Sequence, residues 1–224
     1  MNDNDLLFDS VVKGKPFFCV MQGQKFVGKS EMIKYIIYDY KEFFQYIVVF
    51  SASNTANQFY SEFLPEKWIF GSYNSEIIQN IITKQEAFLK SGKKIHCLII
   101  LDDILGMDGL SVHNPDPAMT RLFSANRHFN ISLILASQSP RLIPPVARAN
   151  ADITLIWKSM NVALKVLYEE YSNMPRKQWD AFVQKYTQNH GIIMYNARAV
   201  NTQDTYSLLR VPESFIGKKF RLKY

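Results

Sequence analysis

Hydrophobic residues fall along this chain in two alternating kinds of segment, short unbroken apolar runs and longer stretches of helical period. "PFFCVM" (16–21), bounded by Gly14-Lys15 and Gly23, reads as a buried strand. From Lys29 to Phe44 the residues Met32, Ile33, Ile36, Ile37 and Tyr40 recur at helical spacing with polar residues between them, which predicts a helix. "YIVVFS" (46–51) is a second strand, and residues 53–73 read as loop-rich, with Trp68 and Phe70 available for packing. Ser75 is expected to cap a helix in "SEIIQNIITKQEAFLKSGKK". "IHCLIILDD" (95–103) carries the clearest strand pattern of all. A turn-rich segment, 106–119, is expected to be a mobile loop, and a helix is expected over 118–127. "ISLILAS" (131–137) and "DITLIW" (152–157) are further buried strands. Helices are predicted over 159–172 and 174–188, the latter with Pro175 near its start. "GIIMYN" (191–196) and "TYSLLRV" (205–211) are expected to pair antiparallel, before a basic tail "GKKFRLKY".

Apolar strands alternating with helices imply an α/β fold: a mostly parallel central sheet flanked by helices, here with a C-terminal antiparallel extension. With 224 residues and no repeat or linker, a single domain over 1–224 is expected, its core at about 14–160. The chain is 47% hydrophobic and 14% aromatic, which excludes long disorder. Its net charge of +6 fits a nucleic-acid partner or simply a basic surface. Cys19 and Cys97 both lie within apolar runs and without metal-ligand spacing, which points to buried thiols in a reducing compartment and argues against zinc. The acidic start "MNDNDLLFDS" has no apolar signal core, and no apolar stretch is long enough to span a membrane, so neither secretion nor a membrane span is expected.

Chemistry concentrates at strand ends. "GQKFVGKS" places Gly23, Gln24, Lys25, Phe26, Val27, Gly28, Lys29 and Ser30 between a strand and a helix, in the spacing of a phosphate-binding loop. The terminal glycines let backbone N–H groups point at phosphate oxygens, and the helix start adds a favourable dipole. Lys29 would bridge the β and γ phosphates of ATP, and Ser30 would hold Mg²⁺. The middle of the loop is bulky, and Lys25 has two readings, a surface charge or a second cation for the γ-phosphate. Asp102 ends a buried strand, where an acid positions Mg²⁺, and Asp103 follows where an acid can polarise the attacking water. Ser137-Gln138 ends another strand, and Gln138 either orients water and senses the γ-phosphate or begins a surface loop. Arg127, Arg121 and Arg148 are candidates either for an arginine acting across a subunit interface or for solvated helix caps.

Together these motifs resemble the genome-packaging ATPases of poxviruses, other large double-stranded DNA viruses and virophages, within the FtsK–HerA superfamily of DNA-pumping motors. The likeness covers about residues 14–160 and is strongest in "NRHFNISLILASQSPRLIPPVARANADITLIW". It implies a ring that translocates double-stranded DNA into a preformed capsid with ATP and Mg²⁺, working in host cytoplasm or virion, with capsid vertex proteins as partners. Carried over by position, Lys29 and Ser30 bind nucleotide and metal, and Asp102 is the metal-side acid. Asp103 activates water, Gln138 is the polar sensor, and Arg127 acts on a neighbour's nucleotide. Two departures stand out: the loop has less Gly and Ser than the family's, and the second acid is Asp where Glu is common. A basic residue at Lys25 resembles the large terminases of tailed phages, although no paired-carboxylate cluster for a nuclease is present. Two other classes compete: a nucleotide or nucleoside kinase, and a non-catalytic DNA-binding or capsid protein with a relic loop. Candidate DNA contacts are the 106–119 loop, the lysines at 84–94 and the 218–223 tail.

Overall fold

A computed structural model describes residues 14–106, 110–113 and 116–223 of the chain. Its first half runs β1 (Phe18–Gln22), α1 (Lys29–Asp39), β2 (Tyr46–Ser51), α2 (Asn54–Ser61), β3 (Ile69–Phe70), α3 (Ser75–Lys90) and β4 (Cys97–Asp102). The second half runs α4 (Pro117–Ala125), β5 (Ile131–Ser137), α5 (Pro145–Asn150), β6 (Ile153–Ile156), α6 (Asn161–Tyr171), α7 (Arg176–Tyr186), β7 (Ile192–Asn196) and β8 (Tyr206–Leu209). The strands form one sheet in the order β3-β2-β4-β5-β1-β6-β7-β8. The pairs from β3 to β6 are parallel, and β7 and β8 extend the sheet antiparallel. The expected α/β architecture and C-terminal hairpin are therefore both present.

The strand sequences are unbroken apolar runs because both faces of the sheet are covered. Alternation along each strand sends Cys19, Met21, Val49, Ile100 and Ala136 to one face, under α1 and α2. Phe18, Val20, Phe50, Leu101 and Leu135 go to the other, under α3, α4 and α5. A third cluster joins Leu167 and Tyr171 of α6 to Trp179 and Val183 of α7, over Ile156 and Ile193. Cys19 and Cys97 are buried free thiols, as their apolar settings suggest. The segment after β8 crosses the outer face of α1, where Phe215 packs on Tyr35 and Tyr38, and Phe220 on Tyr38 and Phe63. It is fastened by the Leu222 N–H, which donates to the Phe63 carbonyl at 2.9 Å.

Several local expectations are corrected. Residues 53–73 are not chiefly loop: α2 forms there, capped by the Ser53 hydroxyl, and β3 pairs with β2. The cap of α3 is Asn74, whose side chain accepts from the Ile77 N–H at 3.1 Å, and Ser75 is the first helical residue. The first helix stops at Asp39, short of Phe44, because the backbone leaves helical geometry at Tyr40 (φ −99°, ψ 19°) and turns, with the Phe43 N–H donating to the Tyr40 carbonyl at 2.9 Å. The helix expected over 118–127 starts at Pro117 under an Asp116 cap and gives way to a 3-10 turn over Asn126–Phe129. Part of the predicted 106–119 loop (107–109, 114 and 115) lies outside the described residues. Among the described residues no helix is long and apolar enough to cross a membrane.

Candidate functional site

The parallel topology collects the predicted chemistry at one edge. β1 ends at Gln22, beside the ends of β5 at Ser137 and β6 at Ile156. Gly23 follows β1, where an added Cβ would lie 2.6 Å from Trp157 Cβ, so only glycine lets the chain pass. The loop is moored on both sides: Gly23 N–H donates to the Ser137 carbonyl at 3.3 Å and Gln24 N–H to the Lys158 carbonyl at 3.1 Å. Phe26 has φ 61° and is 96% exposed, so the bulkiest side chain of the loop faces outward, while Val27 packs against the core. Lys25 is exposed too. Gly28, at φ 102°, turns the chain into α1, whose first-turn N–H groups are open to an anion.

Lys29 is buried, and its ammonium donates to the carbonyls of Gly23 (2.7 Å) and Gln24 (2.8 Å). Burial pulls its pKa down, against the opposing pull of Asp103 and Asp102. Asp102 lies on the α1 face at the end of β4, and burial pushes its carboxyl up to about 6. The Tyr60 hydroxyl moderates this by donating to Asp102 Oδ2 at 2.9 Å. Ser51, opposite Asp102 in the β2–β4 register, holds a buried hydroxyl oxygen without a partner among the described residues. A desolvated carboxylate beside an unsatisfied hydroxyl suits a hydrated divalent cation, so the Asp102 end of β4 fits Mg²⁺. Asp103 occupies the left-handed region at φ 52°, a conformation that costs a non-glycine residue on the order of 1 kcal/mol. Its N–H donates to the Ala136 carbonyl at 3.2 Å, and its Oδ2 accepts from Gln138 Nε2 at 2.5 Å. The loop, Lys29, Asp102, Asp103 and Gln138 thus form one constellation, with Ser30 in the adjoining turn of α1.

Arg127 is not part of it. It stands at the opposite edge of the sheet, before β5, where Nε donates to Asp152 Oδ2 at 3.2 Å and Nη2 pairs with Asp152 Oδ1. Asp152 is buried and also accepts from Phe18 N–H at 2.8 Å and Arg198 Nε at 2.7 Å. Arg127 is therefore a structural brace within its own chain. Arg121 pairs with Glu86 and lies over the Phe129 ring. Arg148 is stapled to the Ile143 carbonyl at 2.6 Å and to Glu170 at 3.1 Å.

Sequence reasoning missed Tyr60, Trp157 and His190, which touch the loop or its acids only through tertiary structure. The His190 ring lies 3.1 Å from the Val27 carbonyl through Nδ1. Its only sequence signal is "NHG", a turn-forming triplet ahead of a strand.

With this geometry in hand, the chain matches the family described as "Poxvirus A32 protein" over residues 7–189. It is 31% identical over 155 residues to the uncharacterized protein 088R of Invertebrate iridescent virus 3, covering 68% of this chain and 58% of that protein. It is 27% identical over 201 residues to the uncharacterized protein 015R of Frog virus 3, covering 87% of this chain and 62% of that one. The chain therefore spans only about 60% of the length of these curated relatives. Among solved structures, the genome packaging NTPase B204 of Sulfolobus turreted icosahedral virus 2, in complex with ATP-gammaS, superposes with a TM-score of 0.65 at 19% identity. That superposition covers 87% of this chain and 97% of B204, and it shows a shared fold.

Proposed function

The chain belongs to the poxvirus A32 protein family, and from that premise we propose that it is an ATPase that drives double-stranded viral DNA into a preformed capsid, hydrolysing ATP at the interfaces of a homo-oligomeric ring. The observation that carries this reading is the contact between Gln138 and Asp103, set beside the buried Lys29 and Asp102 at the mouth of the phosphate loop. A left-handed acid held by an amide beside this loop favours a catalytic role for Asp103, because backbone strain of this kind clusters at functional sites.

In this reading the loop N–H groups and Lys29 cradle the phosphates, and Lys29 exchanges its carbonyl partners for phosphate oxygens. Ser30 and Asp102 hold Mg²⁺, which when bound neutralises charge on the transferring phosphoryl group. Asp103 accepts the proton of the attacking water, and Gln138 steers both the acid and that water. Any action of Arg127 on a neighbour's nucleotide would require it to leave Asp152. DNA contacts fall to basic side chains that face outward: Lys219, Arg221 and Lys223 on the strap over α1, and the lysines at 84–94. Phosphate contacts of that kind make DNA binding fall steeply with salt. Capsid vertex proteins are the expected assembly partners, in host cytoplasm or virion.

The test is the ATPase rate with and without double-stranded DNA, alongside particle mass. DNA should stimulate hydrolysis, the particle should be a multiple of the protomer, and Lys29→Ala should abolish hydrolysis. Unchanged hydrolysis in Lys29→Ala would remove the site assignment, and phosphate transfer to a nucleoside acceptor would favour a kinase.

A further inference from the structure

The phosphate loop is held from outside by a residue far along the chain. His190 Nδ1 lies 3.1 Å from the Val27 carbonyl oxygen. A carbonyl only accepts, so Nδ1 carries the proton and donates. That carbonyl shares its peptide unit with the N–H of Gly28. In a trans peptide the C=O and N–H point in opposite directions. Anchoring the Val27 oxygen on the outer side therefore aims the Gly28 N–H to the inside of the loop, toward the phosphates.

The chain strains to bring His190 there. Asn189 and His190 both occupy the left-handed region, at φ 49° and 59°. Gly191 follows where an added Cβ would lie 2.2 Å from the Tyr186 carbonyl oxygen, so the turn has no room for another residue type. On the loop side, a Cβ on Gly28 would meet His190 Nδ1 at 3.6 Å and Trp157 Nε1 at 3.9 Å, so the ring stands directly over that glycine. Consecutive left-handed residues without a glycine are uncommon. Such strain persists where the surroundings impose it, and often marks a functional site.

We propose that His190 is a positioning residue of the nucleotide site: its Nδ1–H fixes the Val27–Gly28 peptide so that the Gly28 N–H serves as a phosphate donor. This inference rests on the nucleotide-binding reading of the loop. A hydrogen bond to the carbonyl also polarises the amide and strengthens its N–H as a donor. The donor meets phosphate in both the bound and the reacting state. Its loss should therefore appear in KM more than in kcat.

The experiment compares His190→Ala, His190→Gly and His190→Asn with the unaltered chain, using ATP binding by calorimetry, kcat and KM for hydrolysis, and thermal unfolding. Asn can donate from its amide and tolerates the left-handed region. Gly relieves the strain but cannot donate. We expect Ala and Gly to weaken ATP binding and raise KM by about tenfold, the size of one lost hydrogen bond, with kcat changed by less than about threefold. Asn should stay within about threefold of the unaltered protein, and Gly should unfold no earlier than Ala. A purely structural role predicts that ATP affinity follows stability, with Gly the mildest change; that order, or equal ATP affinity in all four proteins, overturns the proposal. If the unaltered chain itself does not bind ATP, the nucleotide reading falls, and this inference with it.

Discussion

Replacing Asp152 tests whether the cluster at the far edge of the sheet is a brace. The carboxylate is 2% exposed, whereas the side chains of Arg127 and Arg198 are 43% and 33% exposed. In Asp152→Ala both guanidinium groups can turn to water, so each lost ion pair costs at most about 1 kcal/mol. The Phe18 N–H has no such escape, because Phe18 is fully buried at the start of β1. Leaving it without an acceptor costs about 1–3 kcal/mol. The total is about 3 kcal/mol, or about 8 °C in Tm for a chain of this size. Asp152→Asn keeps an oxygen for Phe18 and should lose only about 1 kcal/mol. Arg127→Ala should cost about 1 kcal/mol alone and almost nothing on the Asp152→Asn background, because the two share one interaction. Urea and thermal unfolding compare all four variants with the unaltered protein. Equal losses in Asp152→Ala and Asp152→Asn would refute the role given to Phe18. A stable Arg127→Ala variant that loses hydrolysis on either background would restore Arg127 as a nucleotide-site residue.

Asp102 and Asp103 should respond in opposite ways. Folding raises the Asp102 carboxyl to about 6, chiefly by burial, so between about pH 4 and 6 the folded state holds a proton that the unfolded state has released. Its contribution to stability therefore falls as pH rises through that window and is unfavourable above it. Without nucleotide or Mg²⁺, Asp102→Asn should be more stable than the unaltered protein at pH 8 by on the order of 2 kcal/mol, with no difference near pH 4, while hydrolysis is lost. Equal unfolding midpoints across that range would contradict the burial argument. Asp103→Asn keeps a residue that tolerates φ 52°, so ATP binding and fold should survive while kcat falls by about 10²–10⁴. Retained turnover in this variant would assign the base elsewhere.

Most of the sheet was legible in the sequence, because strands buried on both faces must be largely apolar, as "LILA" in β5 and "CLIIL" in β4 are. The loop and its two acids were legible for a related reason: polar residues end those runs at the carboxyl edge, where open parallel sheets take their ligands. The α2 segment "NTANQFYS" was not, since apart from Ala56 and Gln58 its residues are weak helix formers, and packing of Phe59 and Tyr60 with Phe63 supports the helix from outside. Arg127 stayed open because an arginine before a strand looks the same whether it faces a phosphate or a buried carboxylate. The signal was Asp152, an acid at the start rather than the end of an apolar strand. Tyr60 and His190 were invisible for a plainer reason, since they lie 42 residues from Asp102 and 163 from Val27.

The position of β1 also sets the order in which the site can come into being. This strand, the one that delivers the phosphate loop, is flanked by β5 and β6, which begin more than a hundred residues later. A ribosome releases the "GQKFVGKS" motif early, but the chain cannot fix it between its two neighbours until Ile156 has emerged. Pairings of such sequence separation close late, after most of the loop entropy has been lost. A nascent or truncated chain that carries the whole motif should therefore bind no nucleotide, and ATP can engage only a domain whose parallel core is already complete.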